Sequence, residues 1–401
     1  MNKVYETKSY LKEIDTVVTA AGVDDKGFCY AEFEDTVLFP NEGGQNADTG
    51  TVLILDGISE PSGGVSREVR VLDGIVSGEG IRYIVSGELK EGMKVRLTLD
   101  WASRYDRMQN HSGEHILTGV IHNRYGFDNV GFHLSDTGFV TVDFSGVLSY
   151  EQVIECEAEA NRIIYANMPI KDSYPTKEEL KLIDYRSKIE IAGQVRLITI
   201  GDDNEKVDVC ACCAPHVART GEVGIIKVLS VINWKGGIRV SILCGRRALE
   251  QINREHDILT SVARSLSTEM VNVPELVEQY RAEALDLKAK LAKARESAVI
   301  EKIEADGARG PLCIFVESDF PAASMKNVYN ALRKPHDKYV GVFAGSDEEG
   351  YRYNAGGSES RKLAILLKEK FDAKGGGSDE MIQGKLSAGR EEIERFFDGQ
   401  V

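Results

Sequence analysis

Two pairs of metal-ligating side chains, each four residues apart, constrain this chain more than any other feature: His111 with His115, and Cys212 with His216. The first pair sits in a segment whose apolar residues, Ile116, Leu117, Val120 and Ile121, keep a helical period. Positions four apart project from one helix face, so both imidazoles can meet a single ion. The second pair lies in Cys210-Ala211-Cys212-Cys213-Ala214-Pro215-His216, where Pro215 disfavours helix and predicts a loop or strand end. A fold that joins the two segments makes a tetrahedral set of nitrogen and sulfur ligands suited to one zinc per chain. The bland alternative is a core histidine pair plus an unrelated cysteine cluster.

The rest of the chain reads as α+β. Up to about residue 100, short alternating runs such as Tyr30-Ala31-Glu32-Phe33 and Val95-Arg96-Leu97-Thr98-Leu99 predict a small β-barrel (1–100), with turns at Asn41 to Gly44 and Pro61 to Gly64. Residues 101–245 mix the His111 helix, strands near Phe139 to Phe144 and a helix over 150–166, an α+β zinc-containing domain. Residues 246–305 carry two heptad-like stripes, one through Leu249, Ile252, Leu259 and Leu266, the other through Val277, Tyr280, Ala284, Leu287 and Leu291. They predict a helical hairpin, either a spacer packing on itself or the seam of a homodimer. Residues 306–401 resume strand and helix alternation as a small α/β domain.

Charge and cysteine usage narrow the setting. Seven cysteines, three of them within four positions, suit reduced thiols and metal binding better than a disulfide framework. No stretch approaches the length of a membrane span, and the N-terminus has no signal-peptide core, so a cytoplasmic protein without membrane contact is expected. A net charge of −15 argues against tight non-specific binding of nucleic acid. Basic residues do collect at Lys288, Lys290, Lys293 and Arg295, and at Lys326, Arg333, Lys334, His336 and Lys338, either as solvated faces or as RNA contacts.

His111-Ser112-Gly113-Glu114-His115 also fits the H-x-x-E-H pattern of inverted zinc peptidases, with Glu114 as general base. Such an enzyme would want an acidic third ligand and has no use for Cys212 and His216, and Gly113 sits awkwardly in a catalytic helix. Glu114 is therefore expected to back the site or to face solvent.

Four features in order resemble the AlaX family of alanyl-tRNA editing proteins and the editing domain of alanyl-tRNA synthetase. They are Thr36-Val37-Leu38-Phe39-Pro40 leading to Gly43-Gly44-Gln45 and Asp48-Thr49-Gly50; Arg107 before His111 to His115; Cys212 to His216; and Thr220-Gly221-Glu222-Val223-Gly224. Gly375-Gly376-Gly377 with Gly384 resembles the glycine-rich C-terminal domain those synthetases share with DHH-type phosphoesterases. Where many relatives read Cys-Gly-Gly-Thr-His, this chain has Cys212-Cys213-Ala214-Pro215-His216, which leaves Cys210 or Cys213 as alternatives to Cys212.

The resemblance implies a zinc-dependent hydrolase that removes serine, with glycine as a second candidate, from the tRNA specific for alanine. It places Gln45 as a neutral donor at the site and Thr36 as a partner for the serine hydroxyl. Arg107, Lys326, Arg333, Lys334, Gly375, Gly376 and Gly377 are expected to contact substrate or tRNA. The ion could activate water or orient the ester, and the sequence leaves both open. Serine and glycine need such a second check because one small group is worth only about 1–3 kcal/mol in a binding pocket. The rivals are the zinc peptidase and a non-catalytic RNA-binding protein with a structural zinc.

Overall fold

The computed structural model describes residues 1–55, 68–78, 80–134, 138–187, 193–202 and 204–399, so the turn expected at Pro61 to Gly64 lies outside the described residues. The chain forms two compact units, Met1–Ile258 and Leu259–Val401. It is α+β, opening on a barrel and ending on an α/β region, as the alternation of patterns implied.

Six strands close the barrel: β1 (Glu13–Val23), β2 (Cys29–Phe33), β3 (Gly50–Ile54), β4 (Glu68–Ser77), β5 (Gly80–Val85) and β6 (Lys94–Leu99). They run in the order β1-β2-β5-β4-β3-β6. Strict alternation sends Ile81, Tyr83 and Val85 of β5, and Val95, Leu97 and Leu99 of β6, into one core with Phe33 and Phe39. Each such side chain contributes about 1.5–3 kcal/mol by leaving water.

Helix α1 (Trp101–Tyr125) starts at Asp100, whose carboxylate accepts from Ser103 N, and stops at Gly126 in the left-handed region. It is buried on nearly every side between Arg104 and Ile121, which makes it the axis of the second domain rather than a surface helix. Around it lie β7 (Asn129–His133), β8 (Val140–Phe144), α2 (Tyr150–Ala166), β9 (Ile170–Ser173), β10 (Leu197–Gly201), β11 (Lys206–Ala211), β12 (Ile226–Trp234) and β13 (Gly237–Cys244). These strands form a four-stranded sheet, β12-β13-β8-β7, and a three-stranded one, β9-β10-β11. Ile116, Leu117 and Ile121 of α1 share a core with Val142, Val240 and Ile242 of the first sheet and Ile198 and Ile200 of the second. A Cβ at Gly113 would overlap Cys244 Sγ on β13, so the glycine that looked awkward in a catalytic helix is what lets α1 lie this close to the sheet.

Helix α3 (Gly245–Ser265) leads through a short turn to α4 (Val273–Asp306), which carries Pro274 in its first turn as expected. In the second unit, β14 (Cys313–Val316), β15 (Val340–Ser346), β16 (Gly350–Gly356), β17 (Lys374–Gly377) and β18 (Ile382–Leu386) form one sheet ordered β14-β15-β16-β18-β17. Helices α5 (Ala322–Arg333), α6 (Ser360–Phe371) and α7 (Arg390–Asp398) bury Val328 and Leu332, Leu363 and Leu367, and Ile393 and Phe397 in the two cores of this unit. The end of α4 joins one of them through Ile303, Val299 and Ile300. The heptad stripe of α4, Val277, Tyr280, Leu287 and Leu291, is exposed.

Candidate metal centre

One face of α1 and the loop after β11 meet. The ligand atoms of His111, His115, Cys212 and His216 all lie within 4.8 Å of one another. Cys212 Sγ is 3.6 Å from His111 Nε2 and 3.3 Å from His216 Nε2. Ligands around a tetrahedral zinc, at the usual bond lengths to nitrogen and sulfur, stand about 3.5 Å apart across the N···S edge. The three imidazole centroids are separated by 5.3, 4.9 and 4.8 Å. The donor set therefore suits one ion with zinc's preference for nitrogen and sulfur ligands. Cys210 falls outside the four and belongs to a second trio with His115 and Asp208, and Cys213 packs against the barrel core.

What aims these rings is a set of partners on their outer nitrogens. His111 Nδ1 lies 2.8 Å from Gln45 Oε1, His115 Nδ1 lies 3.0 Å from Asp208 Oδ2, and His216 Nδ1 lies 3.0 Å from Ser112 Oγ. Each outer contact fixes its ring and leaves Nε2 facing the shared centre. Asp208 is itself gripped by Arg186, whose Nε and Nη2 each donate at 2.8 Å. Burial alone would raise the Asp208 pKa, but the hydrogen bonds from His115 and Arg186 win and lower it, so the carboxylate is charged. Burial, reinforced by His115 and His111, pushes His216 well below the usual histidine range, which keeps it a neutral donor. Burial pushes the Cys212 thiol up, a cost that an ion's charge would offset. Asp208→Asn is expected to weaken metal binding by about 10- to 100-fold, measured as a dissociation constant by competition with a chelating dye. Unchanged affinity would mean that Asp208 serves only to anchor Arg186.

The barrel reaches the centre through the loop after Pro40. Gly43 and Gly44 take φ of +62° and +83°, a Cβ on Gly44 would run into Phe132 O, and the Gly44 carbonyl accepts from Leu134 N at 2.8 Å. That stitching delivers Gln45, buried, with Oε1 on His111 and with Nε2 lacking any hydrogen-bond partner. A buried amide N–H without an acceptor costs about 1–3 kcal/mol. Thr36 is also fully buried, but its hydroxyl lies 2.9 Å from Tyr83 Oη and accepts from Leu38 N at 3.1 Å.

Arg107 is buried and donates to Asp48 Oδ1 at 3.1 Å, while Arg104, one turn earlier, holds Asp48 Oδ2 and the Val37 carbonyl. This cluster fastens the barrel loop to α1. Glu114, expected to back the site or face solvent, is buried: Oε1 accepts from Thr118 Oγ1 at 2.7 Å and from Asn129 Nδ2, and Oε2 lies 3.9 Å from His115 Nε2. In the C-terminal unit, Lys326 is exposed on α5, Lys334 follows just beyond it, and Arg333 donates to the His336 carbonyl. Gly375, Gly376 and Gly377 form the exposed edge strand β17, with Gly375 opposite Gly384. Ser112, Asp208, Arg186 and Arg104 carried no sequence signal of their own.

A closed barrel joined through its loop to an α+β domain, with three nitrogen donors and one sulfur gathered where they could hold a metal ion, defines a two-part module. Residues 195–240, which include Cys212 and His216, match the family described as the threonyl and alanyl tRNA synthetase second additional domain. Alanyl-tRNA editing protein AlaX-L of Pyrococcus horikoshii is 30% identical, over 98% of this chain and 96% of that protein. Alanyl-tRNA editing protein Aarsd1-B of Xenopus laevis is 27% identical, over 88% of this chain and 84% of that one. The alanine–tRNA ligase of Methanoregula boonei is 26% identical over 91% of this chain, which spans 41% of the ligase. The chain belongs to the AlaX family of alanyl-tRNA editing proteins.

Proposed function

We propose that this protein hydrolyses the ester between a wrongly attached serine, with glycine as a second candidate, and the tRNA specific for alanine, using one zinc held by His111, His115, Cys212 and His216. The observation that carries the reading is Gln45 Nε2, a buried donor without an acceptor on a residue whose other end touches a ligand histidine. A purely structural zinc would have no use for it, since an unsatisfied donor beside a closed site only destabilises. An ester carbonyl oxygen is the missing acceptor, and its hydrogen bond strengthens as negative charge develops there.

A zinc held by all four donors would have no open position, so it would supply Lewis acidity toward the ester or toward water only by taking a fifth ligand, and would otherwise serve to orient the groups around it. The chain's own groups do the positioning: Gln45 holds the carbonyl oxygen, while Asp208, Ser112 and Gln45 keep the three rings from turning. A peptidase reading has less support, because Glu114 is buried with Thr118 and Asn129 both donating to its Oε1, which ties that oxygen to the protein. Release of serine from serine-charged alanine tRNA, without cleavage of peptide substrates, tests the choice. Cytoplasmic placement follows the substrate, and among the described residues no helix is long and apolar enough to cross a membrane.

Thr36 is proposed to read the serine hydroxyl by sharing the hydroxyl it now gives to Tyr83. Thr36→Val keeps volume but strips Leu38 N of its acceptor, so a stability loss of about 1–3 kcal/mol is expected alongside a several-fold fall in serine release. Glycine release should fall much less, because glycine has no hydroxyl to lose. Equal falls for both amino acids would make Thr36 structural only.

The second unit is proposed to capture tRNA through Lys326, Arg333, Lys334 and the Gly375 to Gly377 strand, and to pair two chains through the exposed stripe of α4. A chain ending at Ile258 retains the barrel core and the α1 core. It is expected to sediment as a monomer and to cleave seryl-adenosine normally while losing preference for alanine tRNA. Unchanged preference, or an unchanged dimer, would remove the corresponding role from the second unit.

A further inference from the structure

Beside the candidate metal centre, residues 7–11 and the strand β9 bound a cleft of about 440 Å³ whose lining includes His216. Arg196 lines it as well and is more than nine-tenths buried. Its Nη1 donates to the carbonyls of Cys212 at 3.0 Å and Ala214 at 2.8 Å, which braces the ligand-bearing loop, while its Nε is buried with no acceptor. This guanidinium is held by two carbonyls, with Tyr174 beside it and no carboxylate partner among the described residues, so it adds positive charge to the wall of the cleft.

The remaining lining has a definite chemistry. Lys8 from the N-terminal segment and Lys171 from β9 are exposed, and Asp172 is the one acidic residue of the lining, so the cleft carries excess positive charge in a chain of net charge −15. Tyr10 lines it with a side chain 40% exposed. The Tyr10 hydroxyl donates to Glu222 Oε2 at 2.6 Å and accepts from Ala218 N at 2.8 Å, which locks the ring in place. A fixed aromatic face beside two lysines and a buried arginine is a platform for one unpaired base and its phosphate.

We propose that this cleft holds the terminal nucleotide of the substrate RNA, with its base against Tyr10, its 5′ phosphodiester between Lys8 and Lys171, and the buried Arg196 guanidinium adding positive charge behind it. The inference rests on the deacylase reading and adds to it the subsite through which the acceptor end enters. In an RNA so placed, the ester at the end of the terminal ribose lies toward His216 and the donor set.

The test compares two substrates, serine-charged alanine tRNA and seryl-adenosine, which lacks the phosphodiester, on zinc-loaded full-length protein. In Lys8→Glu/Lys171→Glu the KM for the tRNA is expected to rise at least about tenfold, with kcat held within about twofold. The KM for seryl-adenosine should rise far less, so that the preference for the phosphate-bearing substrate collapses. Tyr10→Leu should raise KM for both substrates. Metal content and thermal midpoint at the parent's values establish folding, and Lys8→Ala/Lys171→Ala gives the same comparison if the charge reversal misfolds. If the parent releases serine from tRNA but both lysine variants and Tyr10→Leu leave its KM unchanged, the cleft is not the subsite. If the parent releases no serine from tRNA, the deacylase reading itself fails.

Discussion

Cys212→Ala is expected to empty the metal centre and to slow serine release from tRNA by about a thousandfold or more. Cys212 is the one soft ligand of the set, and its sulfur lies within 3.6 Å of two ligand nitrogens. Removing it leaves three imidazoles and a gap in a buried site, with no other cysteine in the cluster. Lewis acidity is worth several kcal/mol, and each 1.36 kcal/mol is about tenfold in rate, which sets the size of the effect. Cys213→Ser and Cys210→Ser should keep about one zinc per chain, because neither thiol joins the four donors. Elemental analysis of the three variants decides the matter. Full zinc in Cys212→Ala with loss in either of the others would move the thiolate ligand.

The second large effect falls on Gln45, whose two ends have different tasks. Gln45→Glu keeps an oxygen for His111 Nδ1, so the metal should stay, but it removes the Nε2 donor and places negative charge where the carbonyl oxygen would sit. Losing one such donor typically costs about 10²–10³ in kcat, and a loss of about that size is expected with zinc content unchanged. Gln45→Ala also deprives His111 of its outer partner, and metal affinity should fall by about 10- to 100-fold as well. Measuring kcat and zinc for the pair separates the two tasks. Parent-like kcat in Gln45→Glu would leave the orphaned donor without a catalytic role.

That His111, His115, Cys212 and His216 would gather in one place was legible in the sequence, because helix geometry makes a spacing of four meaningful and Pro215 marks the second pair as non-helical. The reason Cys212 joins them, and neither neighbouring thiol does, was not legible. Cys210, Cys212 and Cys213 differ only in which way the end of β11 turns, and that is decided by Arg196 gripping the Cys212 and Ala214 carbonyls. The outer partners were hidden for a related reason: Asp208 and Arg186 matter only because β11 lies against α1, a packing that Gly119 permits, since a Cβ there would meet Val207 O and Asp208, but that no periodicity announces. Arg107, which the family resemblance offered as a substrate contact, is buried and donates to Asp48 beside Arg104, so it also helps to hold the Gln45 loop in register with the helix, a task no local pattern announces. The heptad stripes marked out the two helices because Pro274 and the apolar period are local signals. What the stripe of α4 covers depends on a second surface, and its exposure leaves that to solution measurement.

Ester loss from alanine tRNA charged with serine, compared with the same tRNA charged with alanine, each incubated with the zinc-loaded protein, tests the proposed activity most directly. Serine should be released far faster than alanine, and chelation should abolish the difference by abolishing the reaction. Equal rates for the two amino acids, or serine release that persists at full rate after the zinc is removed, would contradict it.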